Sequence, residues 1–190
     1  METNQNANNE NLNEVETNLA FIDVEVSGLS LKDGELLEIG LVLASQPDLK
    51  ILEEWEVKIK PQHLETADKE ALLLVGYNEK AWENALDLKT ALEQFLEKTK
   101  GALIVGHNVN WDLMWLRKAI EENGLGKKFA RRSLDTISIA YAKLRDKASG
   151  IKYFSLSNLA KYFGIEENQK HHALSDAKTT YEVFKKLIEL

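Results

Sequence analysis

The chain has 190 residues, of which 44% are hydrophobic and 29% charged, with two prolines and no cysteine. That is enough for one globular domain with its own core. It excludes a disulfide scaffold, a zinc–thiolate centre and, with no apolar run near ~20 residues, a membrane-spanning helix. The net charge is −7, unevenly spread: four acids and no base in residues 1–18, 17 acids against 9 bases in 19–100, and 10 acids against 15 bases in 101–190. A polyanionic partner would therefore be steered locally, not held by a broadly basic surface.

Residues 1–18 hold seven asparagines and little apolar material, which predicts a disordered tail before a single domain over 19–190. The same segment lacks the basic and apolar stretches of a secretory signal, so a cytoplasmic setting is expected. Leu19 to Val26 is an apolar strand interrupted by Asp23 and Glu25. Residues two apart on a strand share a face, so the two carboxylates sit side by side. One reading is an edge strand with two solvated acids. The other is a divalent-cation site, since a hard cation with oxygen ligands relieves the repulsion of crowded, desolvated carboxylates. Ser27-Gly28 is a sharp exit from the strand, with Leu29 beyond it.

Asp33-Gly34 reads as a turn, and strands follow over Leu36 to Ala44 and Ile51 to Ile59. In the latter, Trp55, Val57 and Ile59 alternate with charged residues, as on a strand with one wet face. A short helix is expected over Ala67 to Leu74, ending at Gly76. Leu88, Ala91, Leu92, Phe95 and Leu96 carry helical spacing up to Gly101. Ala102 to Gly106 is a buried strand leading into His107-Asn108 and a helix through Trp111, Leu113, Leu116 and Ile120. Leu134 marks a brief strand. Helices follow through Ile137 to Leu144, from a Ser155 cap to Gly164, and over Ala173 to Ile188, the last burying Ala177, Tyr181, Phe184 and Ile188. Three antiparallel strands followed by alternating strand and helix make an α/β fold, a mixed sheet with helices packed on it.

Two further stretches could complete the acidic pair. Asp112 falls in the first turn of its helix, where a carboxylate also serves the dipole and free N–H groups. Asp176 follows His171 and His172 at the start of the last helix, where a solvated polar helix start is equally consistent.

Taken together, Phe21-Ile22-Asp23-Val24-Glu25, His107-Asn108 followed by Asp112, and His171 followed by Ala173 and Asp176 resemble the three motifs of the DEDD 3′→5′ exonucleases. These include the DnaQ-like proofreading exonucleases and the ribonuclease T type. Val26-Ser27 departs from the two threonines common after the first motif, and Trp111 stands where phenylalanine is usual. The resemblance covers residues 19–190 and implies a ribonuclease H-like, mixed five-stranded sheet flanked by helices. It implies that Asp23, Glu25, Asp112 and Asp176 hold two Mg²⁺ or Mn²⁺ ions, with a histidine as base, an imidazole's ordinary pKa of ~6.5 suiting that task. The family has a histidine five residues before the last Asp or a tyrosine four before it. Here His171 and His172 fill both positions, and Ala173 with Asp176 completes the histidine type around His171.

Ser27, Gly28 and Leu29 stand where the family seats the terminal nucleotide, and His107 and Asn108 are further substrate candidates. Arg117, Lys118, Lys127, Lys128, Arg131 and Arg132 are candidate phosphate contacts or solvated faces. His63 reads as incidental, and Trp82 and Trp111 as core. The expected function is hydrolysis at 3′ ends of single-stranded DNA or RNA, releasing nucleoside 5′-monophosphates. The alternatives are an internally cutting nuclease like ribonuclease H, or a nucleic-acid-binding or proofreading subunit of a polymerase or repair complex.

Overall fold

A computed structural model describes residues 17–126, 129, 131–147, 151–167 and 171–190. The strands are β1 (Leu19–Val26), β2 (Leu36–Ala44), β3 (Ile51–Lys58), β4 (Leu103–Gly106) and β5 (Ser133–Asp135). The helices are α1 (Lys69–Val75), α2 (Leu88–Lys98), α3 (Val109–Glu122), α4 (Thr136–Leu144), α5 (Leu156–Phe163) and α6 (Ala173–Ile188). The five strands form one sheet in the order β3-β2-β1-β4-β5. Strand β1 is antiparallel to β2 and parallel to β4, which is parallel to β5. This is the mixed ribonuclease H-like arrangement expected. Among the described residues no helix is long and apolar enough to cross a membrane.

The sequence explains this order. Strands β1 and β2 are apolar on both faces and take the interior of the sheet, whereas β3, carrying Glu53, Glu54 and Glu56, takes an edge. The edge-strand reading of Leu19 to Val26 is thereby corrected: β1 is the central strand, and its acids cannot be ordinary wet-face residues. Alternate β1 residues serve two cores. Ala20, Ile22, Val24 and Val26 pack with Leu92 and Phe95 of α2 and Leu113 and Leu116 of α3. Leu19 and Phe21 pack with Ala177, Tyr181 and Phe184 of α6. By strand periodicity Asp23 and Glu25 share the α6 face.

Helix boundaries follow local chemistry. Asp68, Asp87 and Ser155 accept backbone N–H bonds as N-caps, and Gly76 and Gly164 close α1 and α5 in the left-handed conformation. Two expectations need correction. Ile188 is exposed and Leu187 is buried, because Val183 and Leu187 form a second stripe on α6 against Ala140, Leu144 and Leu159 of α4 and α5. The expected tail over 1–18 also overlaps the fold, since Asn18 accepts the Leu103 N–H and Thr17 accepts a bond from the Gln46 side chain. The rest of that tail lies outside the described residues.

Candidate active site

The site depends on how closely α6 approaches the sheet. Gly40 of β2 lies opposite Asp23 of β1. A Cβ at Gly40 would fall 2.2 Å from the Ala173 carbonyl carbon and 2.3 Å from both the Ala173 oxygen and the Leu174 nitrogen. The first turn of α6 therefore rests directly on β2 backbone, which brings Asp176 down to the β1 acids. Gly40→Ala should lift this turn, costing about 1–3 kcal/mol as an overpacked core does and reducing activity in parallel. Thermal melts and kinetics check this; an unperturbed Tm would show that the helix start yields freely.

Asp112, in the first turn of α3, is 3% exposed, and its Oδ1 accepts the Val24 N–H at 3.0 Å. This bond draws α3 across the end of β1 and sets Asp112 between the two acids of that strand in sequence. Burial pushes Glu25 and Asp112 each up to about 8; for Glu25, repulsion from Asp176, Glu38 and Asp112 adds to burial. Asp23 is held well above the usual carboxylate range by burial first, then by Asp112, Glu25 and Asp176. Ligating atoms of Glu25, His171 and Asp176 all lie within 4.8 Å of one another. Such a donor set of crowded carboxylate oxygens fits hard divalent cations, which would take the place of the protons.

The sign of the pH effect follows. Carboxyls with raised folded-state pKa values bind more protons folded than unfolded between about pH 4 and 8, so stability falls as pH rises through that window. Burial pushes His107 below 6.5, and its opposing contribution ends by that pH. Metal-free protein should therefore melt at lower temperature at pH 8 than at pH 6.5, with a divalent cation restoring Tm at pH 8. A flat or rising Tm in chelator would contradict the shifts.

The two adjacent histidines point to different clusters. His171 has φ of +59°, a left-handed conformation uncommon for a residue with a side chain, and its N–H donates to Asp176 Oδ2 at 3.2 Å. Its ring belongs with Glu25 and Asp176. His172 Nδ1 lies 3.4 Å from Glu56 Oε1 and 3.6 Å from Glu38 Oε2. Glu38 is fully buried, opposite Glu25 across the β1–β2 ladder; it accepts the Ala173 N–H at 3.4 Å and has Lys58 Nζ at 3.7 Å. The reading of the sequence missed both Glu38 and Gly40. Their signal was a carboxylate and a glycine inside the otherwise apolar run Leu36-Leu37-Glu38-Ile39-Gly40-Leu41.

The other expected residues divide. Ser27 is buried: its hydroxyl accepts the Glu35 N–H at 2.9 Å and its carbonyl accepts the Asp68 N–H, so its side chain holds the loop. A Cβ at Gly28 would make only ordinary contact with Asp68 at 3.5 Å, so the fold does not demand glycine there. Leu29 is 80% exposed. His107 Nδ1 bonds Thr136 Oγ1 at 2.8 Å, tying the loop to α4, while Asn108, exposed with φ of 61°, opens α3. Arg117, Arg131 and Arg132 are exposed, and Lys118 pairs with Glu122 at 3.8 Å. Lys127 and Lys128 lie outside the described residues. Trp82 is buried under Lys58, half-buried Trp111 packs edge-on against Trp115, and exposed His63 pairs with Glu65.

Comparison with known proteins gives the family. The exonuclease (RNase T) family model matches residues 20–184. The chain is 30% identical over 175 residues to the DNA polymerase III PolC-type of Caldanaerobacter subterraneus subsp. tengcongensis, a span of 92% of this chain and 12% of that protein. It is 29% identical over 168 residues to DNA polymerase III subunit epsilon of Aquifex aeolicus, 88% of this chain and 79% of that one. The chain thus spans about one-eighth of the PolC-type relatives. In fold it is similar to E. coli exonuclease I in complex with a dT13 oligonucleotide, with a TM-score of 0.76 and 17% identity over 90% of this chain and 41% of that one. The nuclease domain of 3′hExo, a DEDDh family member bound to rAMP, gives 0.75 at 16% identity over 92% of each. His171 stands five residues before Asp176, as in the histidine type that the sequence resembles, and the match over residues 20–184 shows that this chain belongs to the exonuclease family.

Proposed function

We propose that this chain is a 3′→5′ exonuclease that hydrolyses phosphodiester bonds at 3′ ends of single-stranded DNA or RNA and releases nucleoside 5′-monophosphates. The observation that carries this reading is the convergence of β1, α3 and α6 on Asp23, Glu25, Asp112 and Asp176, with burial raising the pKa of Asp23, Glu25 and Asp112 and repulsion among the site carboxylates adding to it for Asp23 and Glu25. Those four carboxylates would hold two Mg²⁺ or Mn²⁺ ions, which when bound make water a nucleophile near neutral pH and offset charge on the leaving oxygen.

The chain's own residues supply the rest. His171, exposed beside Glu25 and Asp176, takes the proton from the attacking water through its imidazole. Its backbone bond to Asp176 fixes the ring's approach. Gly28 and Leu29, in the loop that follows β1, seat the terminal sugar and base; Asn108 lies at the opening of α3. Ser27 and His107 act from behind, holding those two loops in place. A polymerase or repair partner is a natural extension, because the chain's relatives include a DNA polymerase III subunit.

Purified protein offered 5′-labelled single-stranded DNA, RNA and duplex should give a ladder of products shortened one nucleotide at a time with Mg²⁺ or Mn²⁺, and none in chelator. Undiminished cleavage in chelator would overturn the metal-dependent reading, and a few internal fragments without a ladder would favour an endonuclease.

A further inference from the structure

Away from the carboxylates, α4 and the segment before α5 set exposed aromatic rings beside cations. Tyr141 on α4 is 57% exposed and Tyr153, just before α5, is 66% exposed. Arg145 lies one helical turn beyond Tyr141, its guanidinium 5.9 Å from that ring. The Tyr141 ring packs edge-on against Phe154 at 6.5 Å between centroids, and Lys152 Nζ sits 5.2 Å from the ring of Tyr153. The Tyr153 carbonyl accepts a 2.8 Å bond from Asn158 Nδ2, which fixes this segment to α5. Arg145 Nε also meets Asp146 at 3.3 Å, an exposed pair of little net worth that a phosphate could displace.

Helix α4, which carries Tyr141, starts beside the candidate site. His107, which leads into Asn108 and Asp112, is bonded to Thr136, the first residue of α4, and the Phe154 backbone lies near enough to its imidazole to bear on its charge. From Thr136, Tyr141 is about 7.5 Å along the helix axis and Arg145 about 13.5 Å. The surface also belongs to the half of the chain in which bases outnumber acids. Scattered exposed tyrosines need no explanation. Two of them, each beside a cation, one packed on the ring that follows the other in sequence and carried on a helix that starts at an active-site loop, do.

We infer that Tyr141, Arg145, Lys152 and Tyr153, with half-buried Phe154 backing Tyr141, form a binding track for single-stranded nucleic acid leading away from the active site: the two tyrosine rings stack bases and the cations meet phosphates. Stacking on an open ring tolerates any base, and phosphate contacts ignore sequence, so the track serves length and not sequence recognition. This inference rests on the nuclease reading above, because the strand is placed by having its 3′ end among the carboxylates.

The experiment compares wild type with two double variants, Tyr141→Ala/Tyr153→Ala and Arg145→Ala/Lys152→Ala, all at exposed positions. Fluorescence anisotropy with a 5′-fluorescein 12-mer of thymidylate, in Ca²⁺, gives affinity and its salt dependence. Turnover of the 12-mer and of a dinucleotide in Mg²⁺ gives the ratio of their kcat/KM values. The tyrosine variant should bind the 12-mer about tenfold more weakly, and the kcat/KM ratio should fall by a similar factor. The Arg/Lys variant should also show a shallower salt slope, by about 0.7 for each phosphate that is no longer neutralised. Affinities within twofold of wild type in both variants, with wild type cleaving normally, overturn the track and leave the nuclease reading intact. Wild type that binds the 12-mer, loses affinity in the variants and cleaves nothing retains the track and overturns the nuclease reading. Wild type that neither binds nor cleaves overturns both.

Discussion

Asp112→Asn should abolish cleavage and yet leave a folded protein that, without metal, is more stable than wild type. The substitution keeps an oxygen to accept the Val24 N–H at the same place, so the joint between α3 and β1 survives. It removes a carboxylate that burial has already pushed up to about 8, and with it part of the repulsion that raises Asp23 and Glu25. A bound cation contributes several kcal/mol of charge stabilisation in this class of chemistry, and each ~1.4 kcal/mol is tenfold in rate, so kcat should fall about 10³-fold or more. At pH 8 in chelator Tm should rise, by about 2–4 °C for each kcal/mol of repulsion relieved in a chain of this length. Calorimetry and single-turnover kinetics on the same preparation check both halves. A substantially active Asp112→Asn enzyme would remove Asp112 from the metal site, and a lower apo Tm would mean that its charge is stabilising.

The adjacent histidines give the second large effect, and the structure separates them sharply. His171→Ala should lower kcat by roughly 10²–10⁴-fold, the usual contribution of a general base, with metal affinity largely retained. His172 faces Glu38 and Glu56 on the far side of the α6 start, so His172→Ala should cost less in rate and more in Tm. It would leave Glu38, fully buried, with Lys58 at 3.7 Å and the Ala173 N–H as its remaining partners. Titration of divalent cation binding separates loss of metal from loss of the base. The reverse ranking, with His172→Ala the dead enzyme, would show that the wrong imidazole has been assigned.

Much of the fold and of the site is legible in the sequence. The first two strands were bounded correctly because their apolar runs end at strong turn signals, Ser27-Gly28 and Asp33-Gly34 before β2. The spacing of Asp23 and Glu25 placed both on one face, as strand periodicity requires. What the sequence withheld depends on register and on close approach. That Glu38 stands opposite Glu25 is set by pairing that shifts between Glu25 and Val26, an irregularity with no local signature. That Gly40 lies under Ala173 is set by a helix more than a hundred residues away. Central position also changes the chemistry: on an edge strand two acids would be solvated, but within this sheet they lie under α6 and their charge is costly. The second stripe of α6 was hidden for a similar reason, since Leu187 is buried only because α4 and α5 pack against that flank.

The organisation of the relatives bears on the biological setting. Similarity extends over nearly the whole folded chain but over only about an eighth of the PolC-type polymerases, whereas it covers 79% of the epsilon subunit. A stretch similar to this chain therefore makes up a small part of a long polymerase chain and most of a separate subunit. The inferred track along α4 and α5 would let such a domain hold a strand without help from a polymerase.

The central claim is that water is directed to the phosphorus at the 3′ end of a strand and that a nucleoside 5′-monophosphate leaves. Hydrolysis of an unlabelled single strand in ¹⁸O-water with Mg²⁺ or Mn²⁺, followed by mass spectrometry of all products, tests it in one measurement. The expected products are mononucleotides carrying one ¹⁸O in the 5′-phosphate and a residual strand ending in an unlabelled 3′-hydroxyl. Label on a 3′-phosphate, or internal fragments without mononucleotides, would contradict it.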